Sequence, residues 1–283
     1  MIDILLSTYN GEKFIHDQII SILDQTYIHW RLFIRDDGSS DDTPRIIKEY
    51  SNRYPLNIFV IETSGNIGPT QSFAKLLSIS TAKYVMFCDQ DDIWLPKKIE
   101  ITLSKMEIVE KCYPNLPILI HTDLIMTDHH GNTIAESLWN HCNTPIEYEK
   151  NVYFLSLHNV VTGCTVMMNR LAVNFSNPIS LDASMHDWWI AINVCKYGVI
   201  EHIPDQTIKY RRHSKTVTTQ KKPTINYYFS KLIQFCPFMS RLKTKFLMLR
   251  SLRFKLNFIK LIILQAVLPV NHFIVSLRKK NKQ

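Results

Sequence analysis

The first 112 residues alternate short apolar runs with amphipathic stretches, and this alternation limits the fold more than any other feature. Ile2-Asp3-Ile4-Leu5-Leu6, Leu32-Phe33-Ile34, Leu56 to Ile61 and Tyr84-Val85-Met86-Phe87-Cys88 read as strands. Residues 13–25, the stretch after Asp42 and residues 70–80 suit helices, and a long helix is expected from Pro96 to about Cys112. Asp42 suits a helix cap and Pro44 a first helical turn. Alternating β and α elements imply a mostly parallel sheet covered by helices on both faces.

Each expected strand ends in a polar cluster. Ser7-Thr8-Tyr9-Asn10 follows the first and Asp36-Asp37-Gly38-Ser39-Ser40-Asp41 the second. Ser64-Gly65-Asn66 follows the third and Asp89-Gln90-Asp91-Asp92 the fourth. Right-handed crossovers bring such ends to one rim, where open α/β sheets bind ligands. Three crowded carboxylates repel one another until a cation joins them. Mg²⁺ is held by one or two carboxylates plus substrate phosphates. A solvated acidic turn is the commoner reading of an isolated D-x-D, but four polar clusters on one rim argue against it. No G-x-G-x-x-G or Walker loop follows the first strand, which disfavours a dinucleotide cofactor or P-loop chemistry.

Six scattered cysteines without a C-x-x-C pattern read as reduced thiols rather than a disulfide framework or zinc site. The first residues enter a strand directly, so a secretory signal is not expected. Residues 113–205 mix short strands with loops around one conspicuous helix, Met185-His186-Asp187-Trp188-Trp189-Ile190. Asp187 there is either an ordinary first-turn acid or a catalytic one, and adjacent tryptophans commonly pack into a core.

The net charge of +8 hides a division. Residues 1–205 hold 15 Lys/Arg against 25 Asp/Glu, whereas 206–283 hold 18 Lys/Arg and no acid. Within the basic end, Phe246, Leu249, Leu252, Leu256, Ile259 and Ile263 form one helical stripe beside Arg250, Arg253 and Lys260. Such a basic amphipathic helix can lie on an anionic membrane or pack on the domain. Leu261 to Leu277 falls short of a spanning segment. The region is too apolar for a nucleic-acid arm, so no nucleic-acid partner is expected.

Ser7-Thr8-Tyr9-Asn10-Gly11, Gln25-Thr26, Asp36-Asp37-Gly38-Ser39, Asp89-x-Asp91-Asp92 with Pro96, Thr162-Gly163-Cys164, Met185-His186-Asp187-Trp188-Trp189 and Tyr210-Arg211-x-His213 together resemble glycosyltransferase family 2. The resemblance covers about residues 1–215 and looks most like the rhamnosyltransferase-type members that build bacterial surface polysaccharides. It implies a GT-A (Rossmann-like) α/β fold over 1–222, with a nucleotide-binding half (1–112), an acceptor half (113–222) and a basic helical membrane-associating tail (223–283). By position it implies that Ser7, Tyr9, Asp37, Asp89 and Arg211 contact the nucleotide sugar. It likewise implies that Asp91, Asp92 and His213 hold Mg²⁺ or Mn²⁺, and that Asp187 is the general base. Arg212 stands where the family often has Gln, and the glycines common shortly afterwards are absent from 214–220.

The resemblance implies an inverting, metal-dependent transfer from a nucleotide-sugar donor to a glycan or lipid-linked oligosaccharide acceptor. The expected place is the cytoplasmic side of a bacterial inner membrane, reached through residues 241–283. dTDP-rhamnose is the leading donor and a UDP-hexose the alternative. A nucleotidyltransferase and a non-catalytic assembly subunit stay open. The first would release pyrophosphate from a triphosphate, and the second would bind donor without turnover.

Overall fold

The computed structural model describes residues 1–61, 65–212, 245–257 and 259–264. The chain runs β1 (Ile2–Thr8), α1 (Ile15–Leu23), β2 (Trp30–Asp36), α2 (Thr43–Arg53), β3 (Ile58–Ile61), α3 (Pro69–Ile79) and β4 (Tyr84–Asp89). It continues through β5 (Ile93–Trp94), α4 (Lys98–Cys112), β6 (Ile118–Thr127), β7 (Thr133–Ala135), α5 (Leu138–Cys142) and α6 (Val152–Leu157). β8 (Met167–Asn169), α7 (Arg170–Ser176), α8 (His186–Tyr197) and β9 (Val199–Arg211) complete the labelled elements. The expected strands and helices of the first half are all present. Pro44 lies in the first turn of α2, but the Asp42 side chain makes no cap bond and pairs with Arg45 instead.

The strand order is β3-β2-β1-β4-β8-β6-β9-β5, with β7 paired to β6. β3, β2, β1 and β4 run parallel. Beyond β4 the sheet is mixed: β8 runs against both β4 and β6, β9 runs parallel to β6, and β5 runs against β9. An apolar run carries no mark of its direction, yet β6 and β9 point the same way as the first four strands, so the expected mostly parallel sheet is present and β5, β7 and β8 are its reversed strands. β1 is central to these four, and the chain changes its direction of sheet growth between β1 and β4. That is the switch point where ligands of open sheets bind.

Successive residues of β1 serve opposite faces. Ile4 and Leu6 pack with Ile15, Ile19, Ile22, Met86 and Ile99 on one face. Leu5 packs with Phe73, Leu76, Phe87, Ile190 and Val194 on the other. Each such fully buried side chain contributes about 1.5–3 kcal/mol of apolar burial.

The basic tail does not form one continuous helix. Helix spans 245–250 and 259–264, with non-helical chain at 251–257 between them. Leu249, Leu252 and Leu256 of the expected stripe are buried in the same cluster as α8, whereas Phe246, Ile259 and Ile263 are exposed. Helical spacing supplied the stripe, but packing on α8 decides which members are covered, as tertiary burial outweighs local propensity. Among the described residues no helix is long and apolar enough to cross a membrane.

Candidate active site

The register of β1 assembles the rim. Ser7 stands opposite Arg35 of β2 on one side and Asp89 of β4 on the other. Beyond β1 the backbone turns at Asn10, whose φ of 49° lies in the left-handed region that Asn tolerates. The Asn10 N–H donates to Ser39 Oγ at 2.8 Å, and Asn10 Oδ1 accepts the Ser40 N–H at 2.9 Å. Gly11 N–H donates to Thr43 Oγ1 at 2.8 Å. These bonds fasten the first polar loop to the second.

Asp37 is buried and heavily engaged. It pairs with the Arg35 guanidinium and accepts the N–H groups of Ile67 at 2.9 Å and Gly68 at 2.8 Å. Arg35 also reaches Ser72 Oγ at 3.0 Å and the Gly65 carbonyl at 3.1 Å. The third polar loop is thus tied to the second through one ion pair. Ser64, the first residue of that cluster, lies outside the described residues. Ser7 donates to Ser72 Oγ at 2.7 Å, and Tyr9 is half-exposed at the mouth.

Gln90 clamps the acidic turn to the first loop. Its Oε1 accepts Thr8 Oγ1–H at 2.5 Å and Tyr9 N–H at 2.8 Å, and its Nε2 donates to the Tyr9 carbonyl at 3.2 Å. A Cβ on Gly11 would fall 2.4 Å from Gln90 Oε1, so the side chain at 11 must be absent for this clamp to close.

The acidic turn divides by depth. Asp89 and Asp91 are partly exposed, and Asp92 is fully buried. Neither Asp92 oxygen makes a close hydrogen bond, although the Cys164 thiol and the Arg211 N–H act on it, and Lys98 Nζ and Trp94 Nε1 have no hydrogen-bond partner among the described residues. Lys98 Nζ lies 4.8 Å above the Trp94 ring. Burial lowers Lys98 to about 8. Burial, then the charges of Asp91 and Asp187, raise Asp89 to about 7. Burial, then Asp91 and Asp89, push Asp92 well above the carboxylate range. The ligand atoms of Asp89, Asp92 and Cys164 all lie within 4.8 Å of one another, and Asp91 stands outside this trio. Buried carboxylate oxygens without close hydrogen bonds, grouped with further donors, fit a divalent cation.

Asp187 opens α8 beside this pocket. Its Oδ2 accepts the Gly163 N–H at 3.0 Å and its Oδ1 the Trp188 N–H at 2.6 Å. Gly163 is the neighbour of Cys164, so Asp187 sits one residue from the trio. Burial raises Asp187 to about 6, against the lowering effect of the two backbone donors. His186 is stacked on Phe73 at 4.0 Å and set edge-on to Phe87 at 4.7 Å. Burial lowers it to about 3, which keeps it neutral. Both tryptophans are core residues, with their Nε1–H groups donated to the carbonyls of Leu155 and Ser176.

Arg211 is buried at the end of β9. Its guanidinium lies 3.2 Å from Asp17 and 5.0 Å from the Phe14 ring centre. His213 lies outside the described residues. The structure therefore gathers Ser7, Asp89, Asp91, Asp92 and Asp187 around the β1/β4 switch point, holds Asp37 beneath the neighbouring loops, and leaves Arg211 on α1. Sequence reasoning gave no role to Gln90, Arg35, Lys98 or Cys164. A charged residue directly after an apolar run is a signal for Arg35, but nothing in the sequence locates the Lys98 amine behind the acidic turn.

Residues 3–172, more than half of the chain, match glycosyl transferase family 2. The chain is 27% identical over 227 residues to the Escherichia coli UDP-Glc:alpha-D-GlcNAc-diphosphoundecaprenol beta-1,3-glucosyltransferase WfgD, across 78% of this chain and 81% of that one. It is 35% identical over 99 residues to the dTDP-rhamnosyl transferase RfbG of Shigella flexneri, across 34% of each chain. Its fold resembles that of mannosyltransferase PcManGT from Pyrobaculum calidifontis, solved with GDP-Man and Mn²⁺, with a TM-score of 0.55, 15% identity, and coverage of 95% of this chain and 80% of that one. With the parallel half, the acidic turn after β4 and the carboxylate opening α8 in place, the chain belongs to glycosyl transferase family 2 and has its GT-A fold.

Proposed function

We propose that the chain transfers a sugar from a pyrimidine nucleoside-diphosphate sugar to a hydroxyl of a lipid-linked, surface-polysaccharide glycan, with inversion at the anomeric carbon. The observation that carries this reading is the closeness of Asp187 to the acidic turn: its charge acts on Asp89, and it binds the residue next to Cys164. A base and a cation-fitting group on one rim suit attack by a hydroxyl on a carbon whose leaving group is a diphosphate. The acceptor oxygen bonds to the anomeric carbon from the face opposite the departing group. The bond from that carbon to the β-phosphate oxygen breaks, and its electron pair leaves with the diphosphate. The hydroxyl proton passes to an Asp187 carboxylate oxygen. Raised to about 6, that carboxylate is still ionised at neutral pH and is close to the best match for general-base work. Asp91 and Asp92 would hold Mg²⁺ or Mn²⁺, which supplies Lewis-acid neutralisation of the diphosphate when bound.

The pyrimidine is supported by Asp37. A carboxylate has about four acceptor sites. Arg35, Ile67 and Gly68 use three, which leaves one for a base N–H such as uracil and thymine share. A UDP-hexose donor draws support from the breadth of the WfgD match, and a dTDP-deoxysugar from the higher identity of the shorter RfbG match. The basic tail and its exposed Ile259, Ile262 and Ile263 support peripheral attachment to the cytoplasmic face of an anionic membrane. The test is donor hydrolysis and sugar transfer with UDP-glucose and dTDP-rhamnose, with and without Mn²⁺. Asp187→Asn is expected to lower turnover about 10²–10⁴-fold while donor binding persists. Full turnover in that variant, or no turnover of any nucleotide sugar by the wild type, sinks the reading.

A further inference from the structure

The trio behind the rim contains a thiol, which the diphosphate-bridging role does not use. Asp92 is fully buried with no close hydrogen bond to either oxygen, only the Cys164 thiol and the Arg211 N–H acting on it as donors, and Cys164 is 1% exposed on the Gly163–Thr165 turn. Asp89 closes the group from the partly exposed side. With all three ligand atoms within 4.8 Å of one another, little movement is needed to meet a shared ion. Tetrahedral zinc, with bonds of about 2.3 Å to sulfur and about 2.1 Å to oxygen, sets neighbouring donors roughly 3.5 Å apart. The required closure is therefore about 1 Å, within reach of side-chain rotation. Charge points the same way. Asp89, Asp92 and Cys164 as anions, with buried Lys98 acting on Asp92 and Cys164, leave two negative charges for one divalent ion to cancel.

We propose that Asp89, Asp92 and Cys164 form a site for a thiophilic divalent cation, Zn²⁺ or Cd²⁺, set behind the rim, which shares Asp92 with the hard-cation site and does not use Asp91. A thiolate selects softer ions and has little affinity for Mg²⁺, so the two ions that the pocket meets are sorted by the sulfur. As the ion binds, the protons that burial holds on Cys164 and Asp92 both leave to solvent, and a water fills the remaining position on the Asp89 side. Asp89 is then turned inward onto the ion and is lost to a nucleotide sugar. Micromolar zinc thus acts against donor binding at the same rim that a hard cation serves.

The test uses metal-stripped full-length protein and Cd²⁺ alone, read by the ultraviolet thiolate-to-cadmium charge-transfer band. The wild type is expected to show a band whose Cys164-dependent part saturates at one ion per chain. Cys164→Ser and Cys164→Ala are expected to lose that increment, and Asp92→Asn to need at least tenfold more Cd²⁺. The exposed Cys112 contributes equally to all four proteins, so the difference isolates Cys164. A band that persists unchanged without Cys164 overturns the site. If neither Cys164 variant folds, native mass spectrometry of the wild type decides: one retained Zn²⁺ per chain supports the site and none overturns it. Neither readout needs sugar transfer, so the site can fail while the transferase reading stands, or the reverse.

Discussion

On the β2 side of β1, buried Arg35, Asp37 and Thr43 each have protein partners, and the loops they join are fixed by them. On the β4 side, a few residues away, Asp92, Trp94 and Lys98 are equally buried, but their side-chain polar atoms make no close hydrogen bond among the described residues. Buried polar groups are normally paired, because an unpaired one costs about 1–3 kcal/mol and more when charged. The first region is thus a finished scaffold for the mouth of the site. The second keeps unsatisfied groups that a cation, or an ordered water beside it, would complete. The largest effect should come from breaking the finished side. Arg35→Met strands the Asp37 carboxylate among backbone donors, and loss of one partner of a buried pair costs about 3–5 kcal/mol. Urea denaturation measures this, and a loss below about 1 kcal/mol would show that the loops do not depend on the pair.

The same contrast recurs in the tail, where burial again separates structural residues from available ones. Leu252 is 8% exposed and belongs to the cluster built on α8. Leu252→Ala should cost about 2–5 kcal/mol by lost burial and cavity formation. A wild-type midpoint in that variant would place the tail outside the folded unit.

The parallel half was legible because its signals are local. Short apolar runs, Pro44 in a first turn and polar residues at strand ends each act within a few positions. Asp187 and Asp89 are 98 residues apart, and only the resemblance joined them before the structure placed them in one pocket. The orphaned Lys98 was not legible, because its sequence position suits an exposed helical lysine as well as a buried one. The stripe from Phe246 to Ile263 was legible as apolar, but the face that it covers belongs to α8, about fifty residues away.

A smaller effect reads the unfinished side by pH. Burial and neighbouring carboxylates raise Asp89 from 3.8 to about 7 and raise Asp92 as well. Groups with raised folded-state values bind more protons when folded, so the contribution of Asp89 and Asp92 to metal-free stability falls as pH rises from about 5 to about 8. Buried His186, lowered to about 3, contributes the opposite sign up to about 6.5. His202, raised chiefly by its bond to Glu149, adds a loss of the same sign as the two carboxylates above its ordinary value of 6.5. Asp92→Asn isolates the pocket from that background. It should lie within about 1 kcal/mol of wild type near pH 5 and about 1–3 kcal/mol above it near pH 8. Denaturation curves at both values test the slope, and an unchanged slope would mean that Asp92 is satisfied in solution.

The smallest effect on stability tests the exposed end of the tail. Ile262 is 68% exposed beside Ile259 at 71% and Ile263 at 57%, and Lys260 lies 4.2 Å over the Tyr153 ring. Exposed positions of this kind change stability by no more than about 0.5 kcal/mol. Ile262→Ser should therefore leave the denaturation midpoint unchanged. If this face meets a bilayer, the same change removes apolar area from the contact, at about 25 cal/mol per Å², while leaving the basic charge intact. Sedimentation with phosphatidylglycerol vesicles should then show weaker binding for the variant, and high salt should weaken the remainder. Equal sedimentation of variant and wild type would assign these isoleucines no part in attachment. Loss of stability without loss of vesicle binding would place them on the Leu252 side of the comparison.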